Sequence, residues 1–178
     1  QERAMLKRVV NFHGIEGLGK TWLMHRLYEE AQSDHQPTLL VDFASSSGQI
    51  HSEQALVKSI LAQIEISGLS ARMEQATRVR VDPGNAVFLR ELLIQFVTGS
   101  SLLALFDATE RVDNTTLTWL QKEIMAPLLQ TNRVVIVLAG RKPINWDDFA
   151  VTRHAIDYPL ETFDPETDGV ASPSANET

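Results

Sequence analysis

The sequence contains no cysteine and no apolar run long enough to cross a membrane. The first absence excludes disulfide bonds, thiol nucleophiles and cysteine-based zinc sites, and it makes a reducing compartment the default. The second, together with an N-terminus that lacks a signal-peptide core, predicts no membrane partner. We therefore expect a cytoplasmic protein.

Positive charge is also scarce. The chain has 16 Lys and Arg against 23 Asp and Glu, which gives a formal charge of -7. A surface with this excess of acid does not attract nucleic acid as a whole, so we expect no nucleic-acid binding through this domain. The 178 residues, of which 43% are hydrophobic, are enough for one domain with a single core.

The glycine-rich segment 14–21 follows an apolar run at residues 7–12. Its spacing, GxxxxGKT, matches the P-loop, in which backbone N–H groups and the positive end of the following helix bind nucleotide phosphates. Lys20 can reach the outer phosphates, and the Thr21 hydroxyl can bind Mg2+. The predicted nucleotide-binding residues are Gly14, Ile15, Glu16, Gly17, Leu18, Gly19, Lys20, Thr21 and Trp22.

Glu16 is the unusual member of this loop, because it brings a negative charge to a phosphate site. A carboxylate that faced the terminal phosphate would repel it. We therefore expect the Glu16 side chain to point into solvent while its backbone N–H faces the phosphates.

A second motif lies where the apolar run 102–106 ends at Asp107. An apolar strand that carries a carboxylate to the edge of a sheet is the form of the Walker B motif, and Asp107 is expected to hold Mg2+ through a water, opposite Thr21. Glu110 follows three residues later and is the candidate to orient or deprotonate the attacking water. The alternative for Glu110 is a solvated charge near the start of the next helix.

Two cations, Arg141 and Lys142, follow the apolar run 133–139. A basic residue at this point can contact the terminal phosphate and so distinguish ATP from ADP. We assign this role to Arg141, because its forked guanidinium pairs with phosphate oxygens, and keep Lys142 as the second candidate. The alternative is a surface turn with two solvated cations. The predicted catalytic residues are thus Lys20, Glu110 and Arg141.

Predicted strands and helices alternate along the chain. Apolar runs predict strands at 7–12, 37–43, 101–107, 133–139 and 155–160, and helical periodicity predicts helices after the loop and at 52–67, 88–97 and 115–125. The last helix is expected to end or kink near Pro127, residues 70–80 have weaker helical character, and 82–84 is a predicted turn. This alternation predicts an α/β fold with three αβα layers and a five-stranded parallel sheet, which binds ligands at the carboxyl ends of its strands.

The end of the chain, residues 164–178, is polar and lacks apolar periodicity, and the first residue is Gln. We therefore interpret residues 1–163 as a nucleotide-binding domain and 164–178 as a polar tail or a linker to a C-terminal domain. The five histidines show no metal-ligand spacing.

Together these motifs resemble the nucleotide-binding domain of STAND-class signalling ATPases, the group that holds the NACHT and NB-ARC families. The resemblance covers residues 8–163 and rests on the loop 14–21, on Asp107 with Glu110, and on the strand that ends in Gly140 and Arg141. A small residue directly after the metal-binding Asp, with an acid three positions on, is the NACHT form. The resemblance implies a P-loop NTPase core with strand order 2-3-1-4-5.

The same resemblance implies an ATPase: a domain that binds ATP or ADP with Mg2+ and acts as a switch in a larger signalling protein. Arg111 stands where NACHT proteins often have a second acid, which implies low turnover. The implied partners are nucleotide, neighbouring domains of the parent chain and, in nucleotide-dependent assembly, further copies of the chain.

Three alternatives stay open: a DNA-associated ATPase of the AAA+ or initiator type, a P-loop small-molecule kinase, and a nucleotide-bound scaffold without hydrolysis. The first would favour an acid where Ala108 stands. Glu110 suits the activation of water better than the transfer of a phosphoryl group to a small molecule.

Overall fold

The computed structural model describes residues 6–45, 48–77 and 86–162, and its described strands form one parallel sheet. The strands are β1 (Val9–His13), β2 (Thr38–Asp42), β3 (Leu102–Asp107), β4 (Val134–Gly140) and β5 (Ala155–Pro159). The described helices are α1 (Lys20–Ser33), α2 (Glu53–Ile66), α3 (Leu69–Thr77), α4 (Ala86–Gly99), α5 (Asn114–Leu120), α6 (Ala126–Gln130) and α7 (Phe149–His154). All five predicted strands are present, and the predicted α/β class with a five-stranded parallel sheet is confirmed.

The order of the strands corrects one detail of the prediction. The sheet runs β2-β3-β4-β1-β5, so β4 rather than β1 lies beside β3, in place of the expected order 2-3-1-4-5. A partly buried polar contact joins β1 to β5. The Asn11 Nδ2 atom, in the middle of β1, donates a 2.7 Å hydrogen bond to Asp157 Oδ1 on β5. Because a buried amide needs a partner, this contact favours β5 as the neighbour of β1.

Helices cover both faces of the sheet. Alternate residues of each strand point to opposite faces. On one face, Met24 of α1 packs against Leu105, Val137 and Ala139. The opposite face forms the larger core, in which side chains of α2, α4 and α6 pack against the remaining positions of the strands. Packing on both faces holds in place the strands whose carboxyl ends carry the predicted site.

The helix predicted at 115–125 continues past the proline that was expected to end or kink it. Asp113 caps α5 by accepting a 2.7 Å hydrogen bond from Thr116 N. A π-helical turn, Gln121–Met125, then joins α5 to α6. Pro127 lies in the first turn of α6, where its missing N–H is tolerated. The departure from regular helix therefore precedes the proline.

Some predicted elements differ or lie elsewhere. Helix α7, which Asp148 caps, was not predicted, and α3, residues 69–77, overlaps the stretch 70–80 that was expected to have weak helical character. The predicted turn at 82–84 and the tail 164–178 lie outside the described residues. Over the ranges given above, no helix is long and apolar enough to cross a bilayer.

Candidate nucleotide-binding site

The carboxyl ends of β1, β3 and β4 meet around a cavity of about 420 Å3. Segments that are far apart in the sequence thereby contribute to one site, at the edge of the sheet where the prediction placed it. The residues that line the cavity are Glu16, Gly17, Gly19, Lys20, Thr21, Ala44, Asp107, Ala108, Glu110, Arg111, Gly140 and Arg141.

The loop between β1 and α1 has a geometry that requires glycine. Gly17 and Gly19 have φ angles of 88° and 78°, in the left-handed region that other residues rarely adopt. Gly14 is constrained by space, because a Cβ atom there would lie 2.6 Å from the Leu160 carbonyl oxygen. The glycines therefore let the loop turn back and start α1 at Lys20.

Lys20 folds back onto the loop that precedes it. Its Nζ atom donates hydrogen bonds of 2.7 Å to Gly14 O and 2.6 Å to Ile15 O. The ammonium group thus lies beside the cavity with neutral acceptors. The side chains of Ile15 and Trp22 are mostly exposed, and neither is among the cavity-lining residues, so their contact with nucleotide stays a prediction.

Asp107 is buried at the carboxyl end of β3, with only 4% of its surface exposed. Burial raises the pKa of the Asp107 carboxyl, and the charges of Asp42 and Glu110 add to this rise. Hydrogen bonds from the Thr21 side chain and from Ala108 N, the latter at 2.8 Å, act in the opposite direction on this pKa. Asp107 and Thr21 are therefore in contact, as the prediction of a shared ion requires.

The oxygen atoms of Thr21 and Asp107 suit a hard cation. Mg2+ prefers oxygen ligands and keeps several waters, so it needs few protein side chains. Within the described ranges, no three His, Asp or Glu side chains form a metal-binding cluster. A divalent ion at this site would thus depend on one hydroxyl, one carboxylate, water and the phosphates of a nucleotide.

Asp42 is an acid beside the site that was not predicted from the sequence. It ends β2 directly beside Asp107, and its carboxylate accepts 2.8 Å hydrogen bonds from Ala44 N and from the Ser45 hydroxyl. The signal was present in the sequence, because the apolar run of β2 ends in Asp in the same way as that of β3. Asp42 therefore positions the segment that lines the cavity at Ala44.

The turn after Asp107 carries Glu110 to the cavity. Ala108 has a φ of 57°, an uncommon conformation for a residue with a side chain, and a 3-10 turn (Thr109–Arg111) follows. Thr109 is buried against Gly140, while the Glu110 side chain is 29% exposed. The Glu110 carboxylate is thus accessible without being fully solvated.

Arg141 connects this turn to the phosphate loop. Its Nη2 atom donates a 2.9 Å hydrogen bond to Glu16 Oε2, and its Nε atom lies 3.4 Å from Glu110 Oε1. The Glu16 side chain is 80% exposed, as expected. Its ion pair with Arg141 was not predicted. Lys142 lines a neighbouring cavity of about 380 Å3 and not the one beside Lys20.

The raised pKa of Asp107 leads to a prediction about stability. The folded state favours the protonated acid, so the stabilising contribution is full below the ordinary pKa, about 3.9, and is lost as the pH rises through the raised value. Asp107→Asn should therefore increase the free energy of unfolding of the ligand-free protein at pH 7 to 8, and the gain should shrink as the pH falls towards the ordinary pKa of the carboxyl. Urea denaturation at several pH values measures this.

Asp113 provides a control with the opposite sign. Hydrogen bonds from Thr116 lower the pKa of Asp113, so its ionised form stabilises the fold above the ordinary pKa, and this contribution is lost as the pH falls through the lowered value. Asp113→Asn keeps a good helix cap and should reduce stability at pH 7. An increase in the free energy of unfolding for both variants would contradict the assignment of the Asp107 effect to burial.

Solved structures share this fold over most of the chain. A Walker-type ATPase of Pyrococcus abyssi is 14% identical, with a TM-score of 0.60 over 90% of this chain and 50% of that one. Cdc6p of Pyrobaculum aerophilum is 16% identical, with a TM-score of 0.54 over 84% and 38% of the two chains. A chain in the structure of Drosophila ORC bound to AT-rich DNA and Cdc6 is 12% identical, with a TM-score of 0.56 over 92% and 52%.

The chain therefore spans about half or less of the length of these proteins, and at such identities the likeness concerns the fold alone. No curated protein matches the sequence. A match to a protein family covers most of the chain, including the phosphate loop, Asp107 and Arg141. Because residues 3–145 match the family described as the AAA domain, the protein belongs to that family and contains an AAA-type P-loop ATPase domain.

Proposed function

We propose that this domain binds ATP in the cavity beside the phosphate loop, hydrolyses it slowly, and changes its contacts with neighbouring domains according to the nucleotide state. The observation that carries the proposal is the convergence of Lys20, Thr21, Asp107, Glu110 and Arg141 on a single cavity. These residues come from three strand ends. Their types match the tasks of binding phosphate, holding a metal ion and activating water.

The phosphate side of the site is formed by the loop and Lys20. The present acceptors of the Lys20 ammonium are two neutral carbonyls, whereas phosphate oxygens offer charge-assisted hydrogen bonds that are about twice as strong. Thr21 and Asp107 would hold Mg2+. A bound Mg2+ would neutralise part of the negative charge of the phosphates. Lys20 would bind the outer phosphates in the cavity that Glu110 also lines.

The hydrolytic side is formed by Glu110 and Arg141. Glu110 lines the cavity and is partly shielded from solvent, so its carboxylate can accept the proton of a water that attacks the terminal phosphate. Arg141 stabilises negative charge that develops there, because its guanidinium presents several donors in a fixed plane. Arg141 also touches Glu110, so it can couple the state of the phosphate to the position of the base.

For the parent protein we propose a STAND-type signalling switch, supported by the small residue Ala108 after Asp107 and by Glu110 three positions on.

A DNA-associated ATPase of the initiator type is the second candidate. The AAA domain match and the folds of Cdc6p and of the ORC complex bound to AT-rich DNA favour it. Fluorescence anisotropy with an AT-rich duplex separates the two, because binding that weakens steeply with salt would support the initiator type.

Lys20→Ala tests nucleotide binding directly. The variant loses a charge-assisted contact worth about 1.5 to 3 kcal/mol, so the affinity for ATP should fall by roughly one to two orders of magnitude. Calorimetry with ATP and ADP, each with and without Mg2+, measures the change. Lys58→Ala removes the same charge from an exposed position on α2 and should bind as the unmodified protein does. Equal affinities for both variants would contradict the proposed site.

A further inference from the structure

We propose that Glu16 is a positioning residue that competes with the terminal phosphate of ATP for Arg141 and thereby sets the preference between ATP and ADP. The inference rests on the proposed function and adds a role for an acidic side chain within the phosphate loop. When no ATP is bound, the Glu16 carboxylate binds the guanidinium of Arg141 in the place of the phosphate.

The guanidinium of Arg141 holds two carboxylates at once, through different nitrogen atoms. Nη2 binds Glu16 at 2.9 Å, and Nε lies 3.4 Å from Glu110. Glu16 belongs to the phosphate loop, Glu110 to the turn after β3, and Arg141 follows β4. One cation thus joins three segments that line the same cavity.

Competition follows from the chemistry of these groups. Carboxylate and phosphate oxygens bind a guanidinium in the same way, by charge-assisted hydrogen bonds. In the described part of the chain, Arg141 is the one cation within ion-pair distance of Glu16. A terminal phosphate in this cavity repels Glu16 and attracts Arg141, so both effects favour breaking the ion pair. ADP lacks that phosphate and leaves the pair intact.

The exposure of the pair limits the size of the effect. The side chains of Arg141 and Glu16 are 50% and 80% exposed, so solvent screens their attraction. Exposed ion pairs of this kind change an equilibrium by about two- to fivefold, and the change decreases at high ionic strength. The expected role of Glu16 is therefore a moderate bias between nucleotides.

Glu16→Gln measures this bias, because it removes the charge and keeps the size of the side chain. We expect the affinity for ATP to rise about two- to fivefold at low salt, the affinity for ADP to stay nearly constant, and the difference to fade at high salt. Calorimetric titration with both nucleotides in Mg2+ gives the ratio. Glu29→Gln, the same change of charge on an exposed face of α1, should leave the ratio unaltered.

A double-mutant cycle separates competition from simple repulsion. If Glu16 acts through Arg141, then Glu16→Gln should give a clearly smaller gain in ATP affinity when Arg141 is already replaced by Gln, because only the direct repulsion between Glu16 and the phosphate is then relieved. A gain of equal size in both backgrounds would overturn the inference, since it would show that Glu16 acts on the phosphate alone.

The nucleotide site and the role of Glu16 can be disproved separately. If Lys20→Ala leaves nucleotide affinity unchanged, the proposed function is wrong and the inference falls with it. If Lys20→Ala weakens binding but Glu16→Gln leaves the ATP to ADP ratio unchanged, the nucleotide site stands and the role of Glu16 is wrong.

Discussion

Glu110→Gln should lower the rate of ATP hydrolysis by about 10^2- to 10^4-fold while the affinity for ATP changes little. Gln has nearly the same shape as Glu but cannot accept the proton of the attacking water. The side chain is partly shielded at the cavity, where a positioned base has its effect. Because slow turnover is expected, a single-turnover experiment with protein in excess over ATP gives the rate, and calorimetry gives the affinity.

The control for this variant is Glu91→Gln, which makes the same change at an exposed position on α4. It should hydrolyse ATP as fast as the unmodified protein. If Glu110→Gln also hydrolyses ATP at the unmodified rate, Glu110 is no base, and a nucleotide-bound scaffold without catalysed hydrolysis becomes the better description. A fall in affinity that equals the fall in rate would instead indicate a structural role for Glu110.

Local patterns were sufficient to predict much of the fold and to indicate several residues that the structure brings to one cavity. The P-loop and the apolar strand that ends in Asp107 are short segments whose spacing reflects the geometry of one turn or one strand. Their meeting at one edge also follows from a general rule, because parallel strands present their carboxyl ends together. The cavity that joins Lys20, Asp107 and Glu110 agrees with that rule.

Contacts between segments that are distant in the sequence could not be predicted from local patterns. The place of β1 beside β5 brings Asn11 into hydrogen-bond contact with Asp157, and periodicity within either strand does not reveal this contact. The ion pair between Glu16 and Arg141 joins residues 125 positions apart, so loop composition alone suggested a solvated acid. In both cases a polar side chain is placed by its partner, and the partner is known only once the strands are arranged.

Gly140 gives the clearest instance of a residue whose identity is fixed by such a distant neighbour. A Cβ atom at this position would lie 2.1 Å from Thr109 Oγ1 and 3.5 Å from Glu110 Oε2. Thr109 is buried and β-branched, so it has few conformations into which it can move. An added methyl group must therefore displace the turn that carries Glu110.

Gly140→Ala should lower the free energy of unfolding by about 3 kcal/mol, at the upper end of the cost of overpacking, and should slow ATP hydrolysis by about 10^2-fold because the base is displaced. Urea denaturation and single-turnover hydrolysis measure the two effects. Adding Thr109→Ala removes the clashing hydroxyl and leaves a contact of 3.4 Å, so the double variant should recover most of the stability. Gly99→Ala meets nothing within 4 Å and should be as stable as the unmodified protein or slightly more so. If Gly140→Ala behaves like Gly99→Ala, or if Thr109→Ala gives no recovery, close packing of this turn against β4 does not position Glu110.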